Sequence, residues 1–368
     1  MQIGERLRLA RGALGYTLDR VAAETNIGQS SLSDFENDKR EPRFSQLSRL
    51  AELYRRPVEF FLGKEPVVEN VMLWRDAPDV EDQVKATQAR FRQLCEQYHS
   101  LELLCGERKN ITWPQPDVKR SAFSFRDAGS LADDFERKYL LGDIPSASLK
   151  QVLEERFGVK VFHLDFAGSA ISTWSQTWGP AILLNSRSKL WRRNFDLAHE
   201  LFHLLTWSVF RDAGCPTDEP EDHEEELANA FASRLLLPTD VVKARIEQSV
   251  DGEGKINLET LDEVAREFGV SLDALLWRMV YLYNMSVEDI QNHIEHARGI
   301  RRARPARQTD GPDMLPERYC SLAIRALNEG RLSLTQFAKF MGLSYKRAQE
   351  YLMDEGDLTD EEVSIPVA

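Results

Sequence analysis

Cysteine is scarce. The 368-residue chain has four, Cys95, Cys105, Cys215 and Cys320, and no two stand in a C-x-x-C spacing. That excludes a cysteine-built zinc site and a disulfide framework, and it suits a reducing cytoplasm. Long apolar runs are also missing, so no membrane-spanning helix and no membrane partner are expected. The first residues, Met-Gln-Ile-Gly-Glu-Arg-Leu-Arg, enter an amphipathic pattern at once and lack the order of a signal peptide, which again points to the cytoplasm. Excess basic charge is absent too. The net charge of −13 argues against broad coating of nucleic acid. Through Lys64, however, 11 Lys and Arg face 9 Asp and Glu, a balance of +2 that leaves −15 for the remainder. Any DNA-binding surface therefore belongs near the N-terminus. What is present is ordinary globular material, 42% hydrophobic and 29% charged, long enough for two or three domains.

Residues 1–64 read as five short helices. The first spans roughly Gln2 to Leu14 and stops at Gly15. Thr17 is a good N-cap for a second helix through Thr25. A turn at Asn26-Ile27-Gly28 leads to a third, Gln29 to Asn37, with Leu32 and Phe35 inward. A fourth spans Gln46 to Tyr54, and Pro57 opens a last one ending near Gly63. Two short helices across a tight turn, the second carrying polar residues, is the helix-turn-helix plan. Gln29, Ser30, Ser31 and Asn37 suit base edges, and Lys39, Arg40 and Arg43 suit phosphates. Residues 4–63, including Thr17-Leu18-Asp19-Arg20-Val21-Ala22 and Leu32 through Pro42, resemble the Xre/Cro-type repressor domains. The resemblance implies double-stranded DNA, an operator, as partner. Two positions depart from it. Leu18 stands where the family often has a DNA-clamping Gln, and Asp34 repels phosphate. The competing use of such a unit is dimerisation or docking of a partner.

The densest chemistry lies in Asn194 to Trp207, which holds His199, Glu200 and His203 as H-E-x-x-H. Four residues apart on a helix, the two imidazoles share a face and can grip one metal ion. Glu200, beside the first of them, is placed to act as general base on a water. The flanks are apolar nearly all round, as in a core helix, where an uncompensated Glu200 is costly. The alternative is two core histidines and a paired glutamate. Downstream, Glu221 to Leu237 reads as a helix, acidic first and apolar later, and a carboxylate on it can be the third ligand.

Residues 130–280 resemble the ImmA/IrrE family of zinc metallopeptidases. The resemblance rests on Ile182-Leu183-Leu184-Asn185, on Phe195 through Leu205, and on Glu225-Glu226-Leu227-Ala228-Asn229-Ala230-Phe231-Ala232 continuing to Pro238. It implies zinc as cofactor, His199, His203 and Glu225 as its ligands, and Glu200 as the catalytic base. Asn229, one turn on from Glu225, can brace a ligand from outside. Asp222, Glu224 and Glu226 rival Glu225. Asp196 replaces a frequent Thr, and Phe202 a frequent Gly, which crowds the space between the histidines. His223 reads as a solvated helix-start residue, and His163, His293 and His296 as structural. The family also implies cleavage of a regulatory protein, a repressor or toxin-system partner, in a stress or phage response. The alternative is a repressor whose metal domain senses or docks without cleaving.

Around these units, Val67 to Trp74 reads as a strand or anchoring arm. Val80 to Cys105 reads as about seven turns of helix, a spacer or a homodimer seam. Ser130–Leu140 and Pro145–Phe157 read as helices. Strands are expected at Val159–Leu164, Ala170–Trp174 and Pro180–Asn185, the last as an edge that an extended peptide can join. Two helices over Asn257–Met285 are expected to cap the site. A basic linker follows at 301–312. Then Glu317–Asn328, Leu334–Met341 and Ser344–Leu352 form helices that either pack or, through Lys339, Lys346 and Arg347, touch phosphate. An acidic tail from Asp354 is expected to be disordered. The expected fold is α+β and mostly helical. A five-helix helix-turn-helix domain (1–64) and a helical connector (65–127) precede a zincin-like metallopeptidase domain with a small sheet (128–300) and a helical C-terminal module (313–353).

Overall fold

A computed structural model describes residues 2–63, 70–107, 112–211 except 115 and 117, 220–288 except 253, then 290, 291, 294 and 311–356. The basic linker, His293, His296, Cys215 and the acidic tail beyond 356 fall outside the described residues.

The N-terminal helices are α1 (Ile3–Gly12), α2 (Leu18–Thr25), α3 (Gln29–Glu36), α4 (Phe44–Leu53) and α5 (Val58–Leu62). Thr17 caps α2 by accepting from the Arg20 amide at 3.2 Å, and Asn26 ends it in the left-handed region at φ 54°. Asparagine tolerates that conformation better than most side chains, so the tight turn into α3 needs no glycine at that point. Leu7, Val21, Leu32, Phe35, Leu50 and Phe61 fill the bundle's core.

Four strands form one sheet. They are β1 (Met72–Arg75), β2 (Lys160–Leu164), β3 (Ala170–Ser175) and β4 (Gly179–Asn185), in the order β1-β3-β4-β2. β4 is parallel to β2 and antiparallel to β3, and β1 is antiparallel to β3. β4 is thus a central strand, correcting the expectation of an edge. Its run Ala181-Ile182-Leu183-Leu184 is buried on both faces, which an edge strand with a wet side does not require. Side chains alternate across the sheet. Val161, Ala170, Ile182 and Leu184 enter one core, and Phe162, Ile171, Ala181 and Leu183 the other.

The first core is covered by α7 (Phe125–Tyr139), α8 (Pro145–Phe157), α9 (Leu190–Leu205), α10 (Trp207–Phe210), α11 (Asp222–Leu236), α12 (Thr239–Glu247), α13 (Leu258–Glu267) and α14 (Leu272–Tyr283). α7 starts before its expected position because Ser124 and Asp127 form a capping box. α12 lacks a counterpart among the expected elements. α13 and α14 join the first core. Arg278 of α14 donates to the Leu237 carbonyl and the Thr239 hydroxyl, at the end of α11 far from Glu225.

The second core is closed by α6 (Glu81–Leu104) and the helices Glu317–Asn328, Leu334–Met341 and Tyr345–Gly356. Phe91, Leu94, Cys95, Tyr98 and Leu101 of α6 are buried there, so α6 is a layer of the fold and not a free spacer. The C-terminal helices share that core, which favours packing as their role, while Lys339, Lys346 and Arg347 remain exposed. His163 is structural as expected. Its amide donates to the Met314 carbonyl, and its Nδ1 lies 3.1 Å from the Asp313 carbonyl. Cys95 is buried, and Cys105 contacts the Leu322 carbonyl, as packing thiols do. Among the described residues no helix is long and apolar enough to cross a membrane.

Phe162 is fully buried and meets Phe91, Tyr98 and Tyr319 edge-on, joining sheet, α6 and the C-terminal helices. Phe162→Ala is expected to cost about 3–5 kcal/mol, read as an earlier midpoint in denaturant unfolding followed by fluorescence. An unchanged midpoint would mean the second core is not a cooperative part of the fold.

Candidate functional site

The H-E-x-x-H segment sits in the C-terminal half of α9, a helix packed against β3, β4 and α11. His199 and His203 project toward α11, and their Nε2 atoms lie 3.2 Å apart. Glu225, in the first turn of α11, meets both. Its Oε2 is 3.1 Å from Nε2 of His199, and its Oε1 is 3.2 Å from Nε2 of His203. One donor atom from each of the three residues lies within 4.8 Å of the others.

The far side of each imidazole is fixed. Nδ1 of His199 donates to Oδ1 of Asn229 at 3.1 Å, and Nδ1 of His203 donates to Oε1 of Glu224 at 2.8 Å. Those acceptors hold a ring proton on each Nδ1 and turn both Nε2 atoms toward one point. Once His203 gives up its Nε2 proton, two imidazole nitrogens and a carboxylate facing one point are a donor set that fits a divalent metal ion.

The charge balance follows from burial. Burial pulls His199 down to about 3, so its ring is neutral. Burial works on His203 in the same sense, but hydrogen bonds with Glu224 and Glu225 outweigh it and hold that ring up at about 9. Burial would raise Glu225, yet its bonds to the two histidines keep it well below the usual carboxylate range. The proton between His203 and Glu225 is the one that a cation held at this point would displace.

Glu200 is 1% exposed, and burial pushes its carboxyl up to about 7. Ser172 on β3 and Arg75 favour its charged form, as does His203. Neither carboxylate oxygen meets a donor at bonding geometry among the described residues. A buried carboxyl poised near neutrality, with both oxygens free, can take up and return a proton.

Of the rival carboxylates, Asp222 and Glu226 are exposed, and Glu226 faces the solvated His223 at 3.9 Å. Glu224 is buried and turned to the back of His203, where Arg211 pairs with it at 2.8 Å. Phe202 is accommodated. It is fully buried, packs on Phe123, Phe210 and Phe231, and meets the His203 ring edge-on.

Arg75, at the end of β1, was not foreseen. Its guanidinium lies 3.2 Å from the carboxylate of Asp196, donates to Oδ1 of Asn229 at 3.1 Å, and stands over the Phe195 ring. Arg192 also pairs with Asp196, at 3.1 Å. Asp196 is wholly buried, which raises its carboxyl, and the two arginines oppose that rise. The acid standing where Thr is frequent thus had a charged partner to be sought, but nothing local named it.

On the helix-turn-helix, Gln29 and Ser30 are exposed at the start of α3 and Ser31 is half-buried. Lys39, Arg40 and Arg43 are exposed beyond its end. Asn37 is exposed but engaged. It donates to the Ser33 carbonyl at 2.8 Å and accepts from Arg8 at 3.0 Å. Arg11 holds the buried Glu36 through two bonds, at 2.6 and 2.8 Å, fixing α3 against α1.

Removing one back-side acceptor, or the charge of the other, should loosen the donor set without deleting it. Asn229→Ala and Glu224→Gln are each expected to lower metal affinity about 10–100-fold, measured by competition with a chromophoric chelator. Glu226→Gln should change nothing. Equal losses in all three variants would contradict the arrangement.

Comparison with known proteins agrees with this layout. Residues 154–279 match the Peptidase M78 family, described as the IrrE N-terminal-like domain, and residues 7–61 match a helix-turn-helix family. Over 67 residues the chain is 40% identical to the HTH-type transcriptional regulator ImmR of Bacillus subtilis (strain 168), a match covering 18% of this chain. The chain spans about half the length of that curated relative, 53%. A solved Mycobacterium tuberculosis transcriptional regulator aligns over 50% of this chain and 51% of its own, at 16% identity and a TM-score of 0.32, a likeness that carries no argument. The chain therefore joins a helix-turn-helix domain to a Peptidase M78 domain of the IrrE N-terminal-like kind.

Proposed function

We propose that this chain is a DNA-binding transcriptional regulator whose metal centre holds zinc and hydrolyses a peptide bond in a protein partner. The observation that carries the peptidase reading is Glu200, a buried carboxyl with both oxygens free beside three convergent donors. His199, His203 and Glu225 would hold the ion. Zinc there supplies Lewis acidity toward a peptide carbonyl and toward the water that attacks it. Glu200 accepts the proton of that water at a carboxylate oxygen and delivers it to the leaving amine, a task its position near neutrality suits. Glu224 and Asn229 keep the imidazoles in one tautomer throughout. A regulatory protein, such as a repressor or a toxin-system partner acting in a stress or phage response, is the substrate class this reading favours.

For DNA, an operator is engaged by the start of α3. Gln29, Ser30 and Ser31 approach base edges, with Lys39, Arg40 and Arg43 on phosphates. Asn37, tied to Arg8 and Ser33, positions this surface more than it reads it.

Glu200→Gln separates the chemistry from the binding. Zinc content should stay at the parental level while cleavage of proteins encoded beside the gene is lost. Retained cleavage would remove Glu200 from the chemistry, and an unchanged regulatory phenotype in a variant that no longer cleaves would leave the metal domain as a sensor. Lys39→Ala and Arg40→Ala should each weaken binding to the chain's own promoter across all sequences and lower the salt slope by about one, read by fluorescence anisotropy. Salt-independent binding would point to partner docking instead.

A further inference from the structure

β1 enters the sheet from the connector, about a hundred residues ahead of the strand it joins. It pairs antiparallel with β3 at Met72↔Thr173, Leu73↔Ser172, Trp74↔Ile171 and Arg75↔Ala170. Contacts continue past both ends. Thr173 donates to the Val71 carbonyl at 2.7 Å, and the Ser169 amide donates to the Arg75 carbonyl at 3.0 Å. β3, with β4, lies along α9, and its Ser172 neighbours Glu200. Without β1, β3 would present an open row of amides and carbonyls at the metal side of the sheet.

The side chains of this segment also reach the site. Arg75 bonds Asn229, the residue that holds His199, and pairs with Asp196 inside α9. A cavity of about 760 Å³ reaches Glu225 and Asn229, and residues 70–72, 74–79 form much of its wall. Met72 and Leu73 are buried, and Trp74 meets the Phe166 ring edge-on. A short extended segment, held by backbone bonds to a strand and by a few alternate side chains, is how strand addition binds a peptide.

We propose that residues 70–76 occupy in cis the place of an extended peptide on β3, so that a substrate peptide and β1 compete for one sheet edge. The favoured peptide carries two consecutive apolar residues and an arginine two positions later, matching Met72, Leu73 and Arg75. The proposal rests on the peptidase reading for its biological sense, but the binding it describes does not require cleavage.

The test uses the full chain, zinc-loaded and carrying Glu200→Gln. Two fluorescein-labelled decapeptides serve as probes. One has the sequence of residues 70–79, and the other keeps only the apolar-apolar-x-Arg pattern. Leu73→Asp places a charge at a side chain that is 1% exposed and should expel β1. Arg75→Ala removes only the side-chain anchor and covers the case in which the first variant fails to fold. Both probes should bind Leu73→Asp at least tenfold tighter than the parent chain, with Arg75→Ala in between. Equal binding to parent and variants, or none by a variant whose circular dichroism melt is native, would overturn the proposal. So would binding of the 70–79 probe alone, which would make β1 a purely structural strand. With Glu200 intact, a probe that binds but is not cut would count against the peptidase reading and leave this one standing.

Discussion

Two imidazole nitrogens and a carboxylate, brought together from α9 and α11, are the constraint on which the site depends. Their convergence is not a property of α9 alone. It needs α11 to cross at one height and one rotation, and α11 is held there by its packing on α7 and by the Arg234–Asp133 pair, with bonds of 2.6 and 2.7 Å. It also needs each ring turned so that Nε2 faces inward, which Asn229 and Glu224 enforce from behind. Burial then does the rest. It neutralises His199 and raises Glu200.

The sheet ties this centre to the helix-turn-helix bundle. Because β2, β3 and β4 are buried on both faces, a second layer is required, and α6 with the C-terminal helices supplies it. α6 also reaches the N-terminal bundle. Ala89 joins that bundle's core, and Glu96 pairs with Arg56 at 2.6 Å. On the other side, buried Glu102 binds Lys160 of β2 at 3.0 Å and Arg318 at 2.7 Å. One helix thus touches the N-terminal bundle, the sheet and the C-terminal helices. A change at the sheet edge has a packed route to α1–α5.

Local pattern made much of this legible. The helix α8 and the helices Glu317–Asn328 and Leu334–Met341 begin and end where periodicity and capping residues put them. The i, i+4 histidines could be read as one metal-facing pair because helical geometry alone fixes their side. Distance in sequence hid the remainder. β1 is four residues long with no turn to a neighbour, and its pairing with β3 is a tertiary fact. β4 was readable as a strand from its apolar run, but two-sided burial says nothing about which strand lies beside it. Glu224 and Glu225 are adjacent in an acidic run. Which one points at the Nε2 atoms and which at the back of His203 depends on a helix rotation of about 100°. The role of Arg75 was hidden for the same reason as the pairing of β1, although the wholly buried Asp196 required some cation nearby.

X-ray absorption at the zinc edge of the purified full-length chain addresses the central claim most directly. The account predicts one zinc per chain with a first shell of nitrogen and oxygen alone, two of the scatterers being imidazoles at about 2.0–2.1 Å, and loss of an oxygen scatterer in Glu225→Ala. A sulfur shell, a single imidazole, or a spectrum unaltered by Glu225→Ala would contradict it.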